Sequence, residues 1–207
     1  MDGWRVLVPV KELAVAKTRL SRYAGGARPE LALAFALDTV AAALAADQVA
    51  AVLVVTDDER VRDGVTAEGA QVVADEPRAG LNPALLHASQ TARERFGPGP
   101  VAALSADLPA LRPGDLAEAL VLAAQDPACF VADVDGTGTT LLTARDDGAL
   151  APQFGHRSRA RHAAAGVVEL TAALVSLRRD VDTEVDLYDA GRLGLGPRTL
   201  EVVARLG

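Results

Sequence analysis

Short, continuous apolar runs alternate along this chain with longer alanine- and leucine-rich stretches, and the alternation predicts strands interleaved with helices. Trp4 to Val10 is a β-branched run with Pro9 at its end, which predicts a buried first strand followed by a loop carrying Lys11, Lys17 and Arg19. Pro29 to Ala46 predicts a helix with proline in its first turn. Ala51 to Thr56 predicts a strand ending in Asp57-Asp58, and Ala70 to Ala74 another. Helical spacing from Asn82 to Phe96 stops at Gly97-Pro98-Gly99-Pro100, and the strand expected at Val101 to Ser105 runs into Ala106-Asp107-Leu108-Pro109. A helix over Pro113 to Gln125 precedes two strands, Phe130 to Val134 and Thr139 to Thr143, joined by the hairpin-like turn Asp135-Gly136-Thr137-Gly138. The last third predicts short strands at Val167 to Leu170 and at Leu177 to Val181, the latter leading into Asp182. Helices over Thr183 to Arg192 and Pro197 to Leu206 follow.

Strands that are apolar throughout, rather than on alternate positions, belong to a largely parallel central sheet with helices on both faces. The expected class is therefore α/β, with the functional site outside the carboxyl ends of the strands. No internal repeat or Ser/Gly-rich linker divides the chain, so one domain over residues 1–207 is expected.

Composition narrows the chemistry. Half the residues are hydrophobic but only 3% are aromatic, as alanine-rich helices over a valine-rich sheet require. The single cysteine, Cys129, has no partner for a disulfide or a CxxC site, which fits a reducing cytoplasm. The opening Met1-Asp2-Gly3-Trp4-Arg5 carries no basic leader, and no apolar run approaches the ~20 residues of a membrane span, so neither export nor a membrane is expected. A net charge of −7 argues against nucleic acid as a partner, and any phosphate site must be built from specific residues.

Two aspartates, Asp107 and Asp182, each end an expected strand far apart in sequence. In a parallel sheet such ends share one edge, where two carboxylates can hold Mg2+ together with waters and phosphate oxygens. Each is equally readable as a helix cap or turn residue, as are Asp57, Asp58, Asp133 and Asp135. Lys11, Lys17 and Arg19 are placed to meet a triphosphate, or form a solvated basic turn. Gly136-Thr137-Gly138-Thr139-Thr140 has the composition of a phosphate wrap and of a hairpin turn alike. Gly155 to Ser158, beside Arg157 and Arg161, offers phosphate or carboxylate donors, or the polar start of a surface helix. The chain has no GxxxxGK[ST], no GxGxxG after the first strand, no HExxH and no GxSxG, which disfavours P-loop, dinucleotide, zinc-protease and serine-hydrolase chemistry.

Five segments occur in the order seen in one known family: Val8-Pro9-Val10-Lys11 through Ala16-Lys17-Thr18-Arg19-Leu20; Leu104-Ser105-Ala106-Asp107-Leu108-Pro109-Ala110-Leu111; Phe130 to Asp133 with Gly136 to Thr139; Phe154-Gly155 with Ser158; and Asp180-Val181-Asp182-Thr183. Nearly end to end, the chain resembles the phosphoenolpyruvate (or 2-phospho-L-lactate) guanylyltransferases of deazaflavin coenzyme biosynthesis. The resemblance implies a single-domain, glycosyltransferase-A-like fold of the nucleotide-diphospho-sugar transferase kind. It implies a reaction of GTP with phosphoenolpyruvate that gives enolpyruvyl-diphospho-guanosine and pyrophosphate, and a downstream transferase of the same pathway as a partner. It also implies Asp107 and Asp182 as the magnesium-binding acids, Thr139, Gly155 and Ser158 as acceptor-binding positions, and Asn82, in Leu81-Asn82, as a base or ribose contact. Lys11, Lys17 and Arg19 then draw off leaving-group charge. A related nucleotidyltransferase acting on molybdopterin, 3-phosphoglycerate or a sugar phosphate, a glycosyltransferase using Asp180-Val181-Asp182, and a non-catalytic nucleotide-binding module are the competing readings.

Overall fold

A computed structural model describes residues 3–14, 16–145 and 149–206; Met1 and Asp2, read above for a leader, lie outside the described residues. Seven strands form one sheet: β1 (Trp4–Pro9), β2 (Val49–Val55), β3 (Gln71–Val73), β4 (Val101–Leu104), β5 (Ala128–Ala132), β6 (Thr139–Ala144) and β7 (Val168–Glu169), in the spatial order β3-β2-β1-β4-β6-β5-β7. Every pairing is parallel except those of β6, which runs antiparallel between β4 and β5. The carboxyl ends of β1, β2, β4 and β5 therefore share an edge with the start of β6, which brings Thr139 to the same side as Asp107.

The strands are apolar on both faces because both are covered. Val6, Val8, Val52, Val54 and Leu104 point into one core beneath α2 (Arg28–Leu44), α3 (Glu59–Ala67) and α5 (Pro113–Ala123). Leu7, Leu53, Val55 and Ala103 point into the other beneath α4 (Leu81–Phe96). Helix α2 is apolar nearly all round, and its outer stripe of Leu31, Ala34 and Phe35 is covered in turn by α7 (Glu184–Leu193) and α8 (Pro197–Leu206). Its one buried carboxylate, Asp38, accepts from the amides of Arg198 at 3.2 Å and Thr199 at 2.8 Å, capping α8 from outside that helix. Two further helices, α1 (Ser21–Ala24) and α6 (Ser158–Ala164), are short. Among the described residues no helix is long and apolar enough to cross a membrane.

Two elements differ from the expectation. Helix α3 is not announced by periodicity, since Val61 and Val65 are its only buried residues and Gly64 sits between them; its start is fixed instead by Asp58, whose carboxylate accepts from the amides of Arg60 and Val61. Leu177 to Val181 is turn and coil rather than strand. Arg178 spends its guanidinium on the carbonyls of Ala132, Leu170 and Ala172, which fastens this segment across the end of β5 without ladder pairing.

Candidate active site

The sheet edge is pinned from several sides. After β1, Leu13 donates its amide to the Asp58 carboxylate at 3.0 Å, and Arg28 donates to the carbonyls of Ala14, at 2.7 Å, and Ala16. The loop then turns through Lys17 in a left-handed conformation, φ 52°. After β4, Ser105 donates to Thr140 O at 2.8 Å, and the Thr39 hydroxyl of α2 accepts from the Leu108 amide at 3.1 Å while lying 3.3 Å from Ala106 O. Asp107 is thus gripped on both flanks. Val181 donates to Asp107 O at 3.0 Å, which draws the segment before α7 against it.

These ties bring Asp107 and Asp182 onto one cation. Lys17 Nζ donates to Asp107 Oδ2 and, at 2.7 Å, to Asp182 Oδ1, while the exposed Arg19 reaches Asp182 Oδ2 at 3.8 Å. Asp182 does not cap α7. That role falls to Thr183, which forms a reciprocal capping box with Asp186 and leaves the Asp182 carboxylate to face the cleft. Burial alone would push the Lys17 ammonium down, but the Asp107 and Asp182 carboxylates override it and hold its pKa above the usual value. Burial likewise works against the Asp182 carboxylate, and Lys17 outweighs it, so its pKa falls. For Asp180 the balance is reversed: burial, then Asp107, Asp133 and Asp182, outweigh the opposing pull of Lys17 and raise it to about 7. The cleft in front has a volume of about 340 Å³ and is lined by Lys11, Lys17, Ser105, Asp107, Phe154 and Asp182. A second cleft of about 590 Å³ adjoins it across Lys11 and Leu81 and reaches Asp57, Asp75 and Arg78.

The donor set fits a hard divalent cation. Asp107 and Asp182 direct carboxylate oxygens at one point, held in the structure by an ammonium, and Mg2+ is typically bound by one or two carboxylates with waters and phosphate oxygens supplying the rest. Among the described residues no three His, Cys, Asp or Glu side chains gather into a cage of their own.

At the same sheet edge, α6 meets the start of β6. Ser158 and Thr139 are both buried, with Ser158 Oγ 3.1 Å from Thr139 Oγ1, and Thr139 Oγ1 lies 2.9 Å from His162 Nδ1. Gly155 makes the turn into α6 at φ 112°, a conformation open to glycine, and its carbonyl accepts from the Ser158 amide. Asn82 is turned to the backbone: it donates to Phe154 O at 3.2 Å and accepts from Phe154 N at 2.8 Å, which sets the Phe154 ring edge-on to His162. The glycine-rich segment is a hairpin turn. The amides of Thr137 and Gly138 donate inward to Asp133, and a Cβ on Gly138 would lie 2.3 Å from that carboxylate.

The structure therefore gathers Lys17, Arg19, Asp107 and Asp182 into one cluster, places Lys11 on the wall shared by the two clefts, and sets Thr139, Gly155 and Ser158 together where β6 and α6 begin, with Asn82 bonded to the Phe154 backbone. Sequence reasoning missed His162, and no local signal marks it. Its pKa is pulled down from 6.5 to about 4 by burial and then by Arg161. The unfolded chain thus takes up a proton near pH 6.5 that the fold refuses until about pH 4, so stability is full above the first value and declines as pH falls toward the second, by about 3 kcal/mol from this group. Urea midpoints at pH 7.5 and 4.5 should fall further for the wild type than for His162→Asn, which has no such titration; equal losses would contradict this.

A mostly parallel sheet in this strand order, with its cleft at the strands' carboxyl edge, has the glycosyltransferase-A-like fold of the nucleotide-diphospho-sugar transferase class. A nucleotidyl transferase from Methanothermobacter thermautotroptrophicus shares the fold at a TM-score of 0.61 and 18% identity, over 93% of this chain and 98% of that one. Within that class the chain belongs to the family described as guanylyl transferase CofC like, which matches residues 4–205. It is 58% identical to a phosphoenolpyruvate guanylyltransferase of Streptomyces coelicolor over 98% of this chain and 97% of the relative. A phosphoenolpyruvate guanylyltransferase of Thermomonospora curvata is 53% identical, over 98% and 90%.

Proposed function

We propose that this protein transfers the guanylyl group of GTP to phosphoenolpyruvate with Mg2+ as cofactor, giving enolpyruvyl-diphospho-5'-guanosine and pyrophosphate. The observation that carries the reading is the meeting of Asp107, Asp182 and Lys17 at one point in a cleft at the carboxyl ends of the strands, the sheet edge at which β6 begins with Thr139 beside Ser158. The names of the relatives, phosphoenolpyruvate guanylyltransferase, support the choice of a guanylyl donor and of phosphoenolpyruvate.

A phosphate oxygen of the acceptor attacks the α-phosphorus in line; the new P–O bond forms as the bond to the β-phosphate oxygen breaks and pyrophosphate leaves. The nucleophile is already anionic, so no side chain is needed as a strong base, and catalysis reduces to positioning and charge neutralisation. Asp107 and Asp182 would hold Mg2+, which when bound would neutralise phosphate charge. Lys17 keeps its proton throughout the neutral range, and with Lys11 and Arg19 it neutralises the departing pyrophosphate. Thr139 and Ser158, with the Gly155 turn, receive the phosphorylated acid. Asn82 acts on the nucleotide side through the Phe154 wall. Phosphorus NMR of a reaction with both substrates should show two new coupled diphosphate resonances, and free GMP in their place would signal hydrolysis instead. Ser158→Ala should raise the Michaelis constant for the acceptor about tenfold, because the Thr139 hydroxyl loses the Ser158 donor that orients it, and that for GTP by much less. Initial rates with each substrate varied would check it, and a reversed pattern would put Ser158 on the nucleotide side.

A further inference from the structure

His162 is fully buried in α6, yet both ring nitrogens are engaged, and the identity of one partner fixes the state of the whole ring. The backbone amide of Gln153 lies 3.0 Å from Nε2, and an amide can only donate, so Nε2 is the unprotonated nitrogen and Nδ1 carries the hydrogen. Nδ1–H then donates to Thr139 Oγ1 at 2.9 Å. Phe130 and Phe154, with ring centroids 5.7 and 5.5 Å away, confine the imidazole from two sides.

A proton count follows. His162 Nδ1–H, the Thr139 hydroxyl and the Ser158 hydroxyl bring three hydrogens to two internal bonds, His162 to Thr139 and Ser158 to Thr139. One hydroxyl hydrogen is left over. Thr139 retains 7% of its surface and Ser158 only 1%, so the arrangement with access to a ligand has Ser158 donating inward and Thr139 donating outward. With the opposite histidine tautomer, Thr139 would donate to Nδ1 and no hydroxyl hydrogen of Thr139 would be available.

We infer that His162 is the positioning residue of the acceptor site, holding the Thr139 hydroxyl as an oriented donor to the anionic group of the phosphorylated acid. This rests on the guanylyl-transfer reading above and adds to it a residue that touches no substrate. The side chain of asparagine can place a donor where Nδ1 stands, whereas glutamine can reach the Nε2 position but leaves Thr139 without its donor.

The test is steady-state kinetics of wild type, His162→Asn and His162→Gln with GTP and phosphoenolpyruvate each varied in turn, alongside nitrogen NMR of the wild-type histidine rings. His162→Gln should raise KM for phosphoenolpyruvate about tenfold, as a lost donor orientation to a charged group implies, with KM for GTP within about twofold, and His162→Asn should stay within about threefold of wild type. Thr139→Val, which removes the hydroxyl at nearly constant volume, should show the same split as His162→Gln and serves if the glutamine variant does not fold. Equal behaviour of Asn and Gln, or a parallel rise in both KM values, would overturn the inference, as would an Nε2-protonated His162 in the folded wild type. A wild type that does not turn over phosphoenolpyruvate at all would instead remove the guanylyl-transfer reading, leaving the ring's tautomer to be judged by NMR alone.

Discussion

Replacing Asp107 with alanine should lower kcat by about a thousandfold or more, the several kcal/mol of charge stabilisation expected of a metal-binding acid, while leaving the protein folded. The loop that carries Asp107 is held by its backbone, through Thr39, Ser105 and Val181, and not by the carboxylate. The side chain is a quarter exposed, and its ion-pair partner among the described residues, Lys17, retains Asp182. The loss should therefore fall on turnover, with melting temperature nearly unchanged. Rates measured across a magnesium titration beside a thermal melt would separate the two, and wild-type activity in Asp107→Ala would take this residue out of the metal site.

The second large effect belongs to Lys17. Its ammonium, 13% exposed, neutralises Asp107 and Asp182, and Asp180 lies in the same anionic field. Lys17→Met should cost about 1–3 kcal/mol at pH 7, less than the ~3–5 of a fully buried pair because Asp182 is half-exposed, and should cut kcat at least a hundredfold. The point of interest is the response to a divalent cation. With the ammonium gone, Mg2+ should raise the melting temperature of Lys17→Met by more than it raises that of the wild type, since it takes up the charge the lysine supplied. A cation that shifts neither protein would show that the paired carboxylates do not hold one.

Much of this was legible before any coordinates. Continuous apolar runs predicted the parallel strands, and Asp107 follows one of them, β4; Asp182 follows no strand and reaches the same edge through the Val181 amide on Asp107 O. What the sequence could not show is which of two readings each polar residue takes. Asp58 and Asp182 both stand just before a helix, yet Asp58 caps α3 and ties down the first loop, while Asp182 leaves capping to Thr183 and turns to Lys17. The choice is made by what lies opposite, which is a property of the packed chain. Leu177 to Val181 has the apolar ends of a strand, but the guanidinium of Arg178 anchors it by three carbonyls in place of a ladder. His162 was the least visible: its partners are a backbone amide nine residues earlier and a hydroxyl on another strand, and neither leaves a pattern in the sequence.

The most direct test of the account is pyrophosphate release by the purified protein with GTP and magnesium, comparing phosphoenolpyruvate, 2-phospho-L-lactate and 3-phosphoglycerate with a control lacking acceptor. Release that depends on acceptor and is fastest with phosphoenolpyruvate is the expected result. Release independent of acceptor, or none with any of the three from a folded protein that binds GTP, would contradict it.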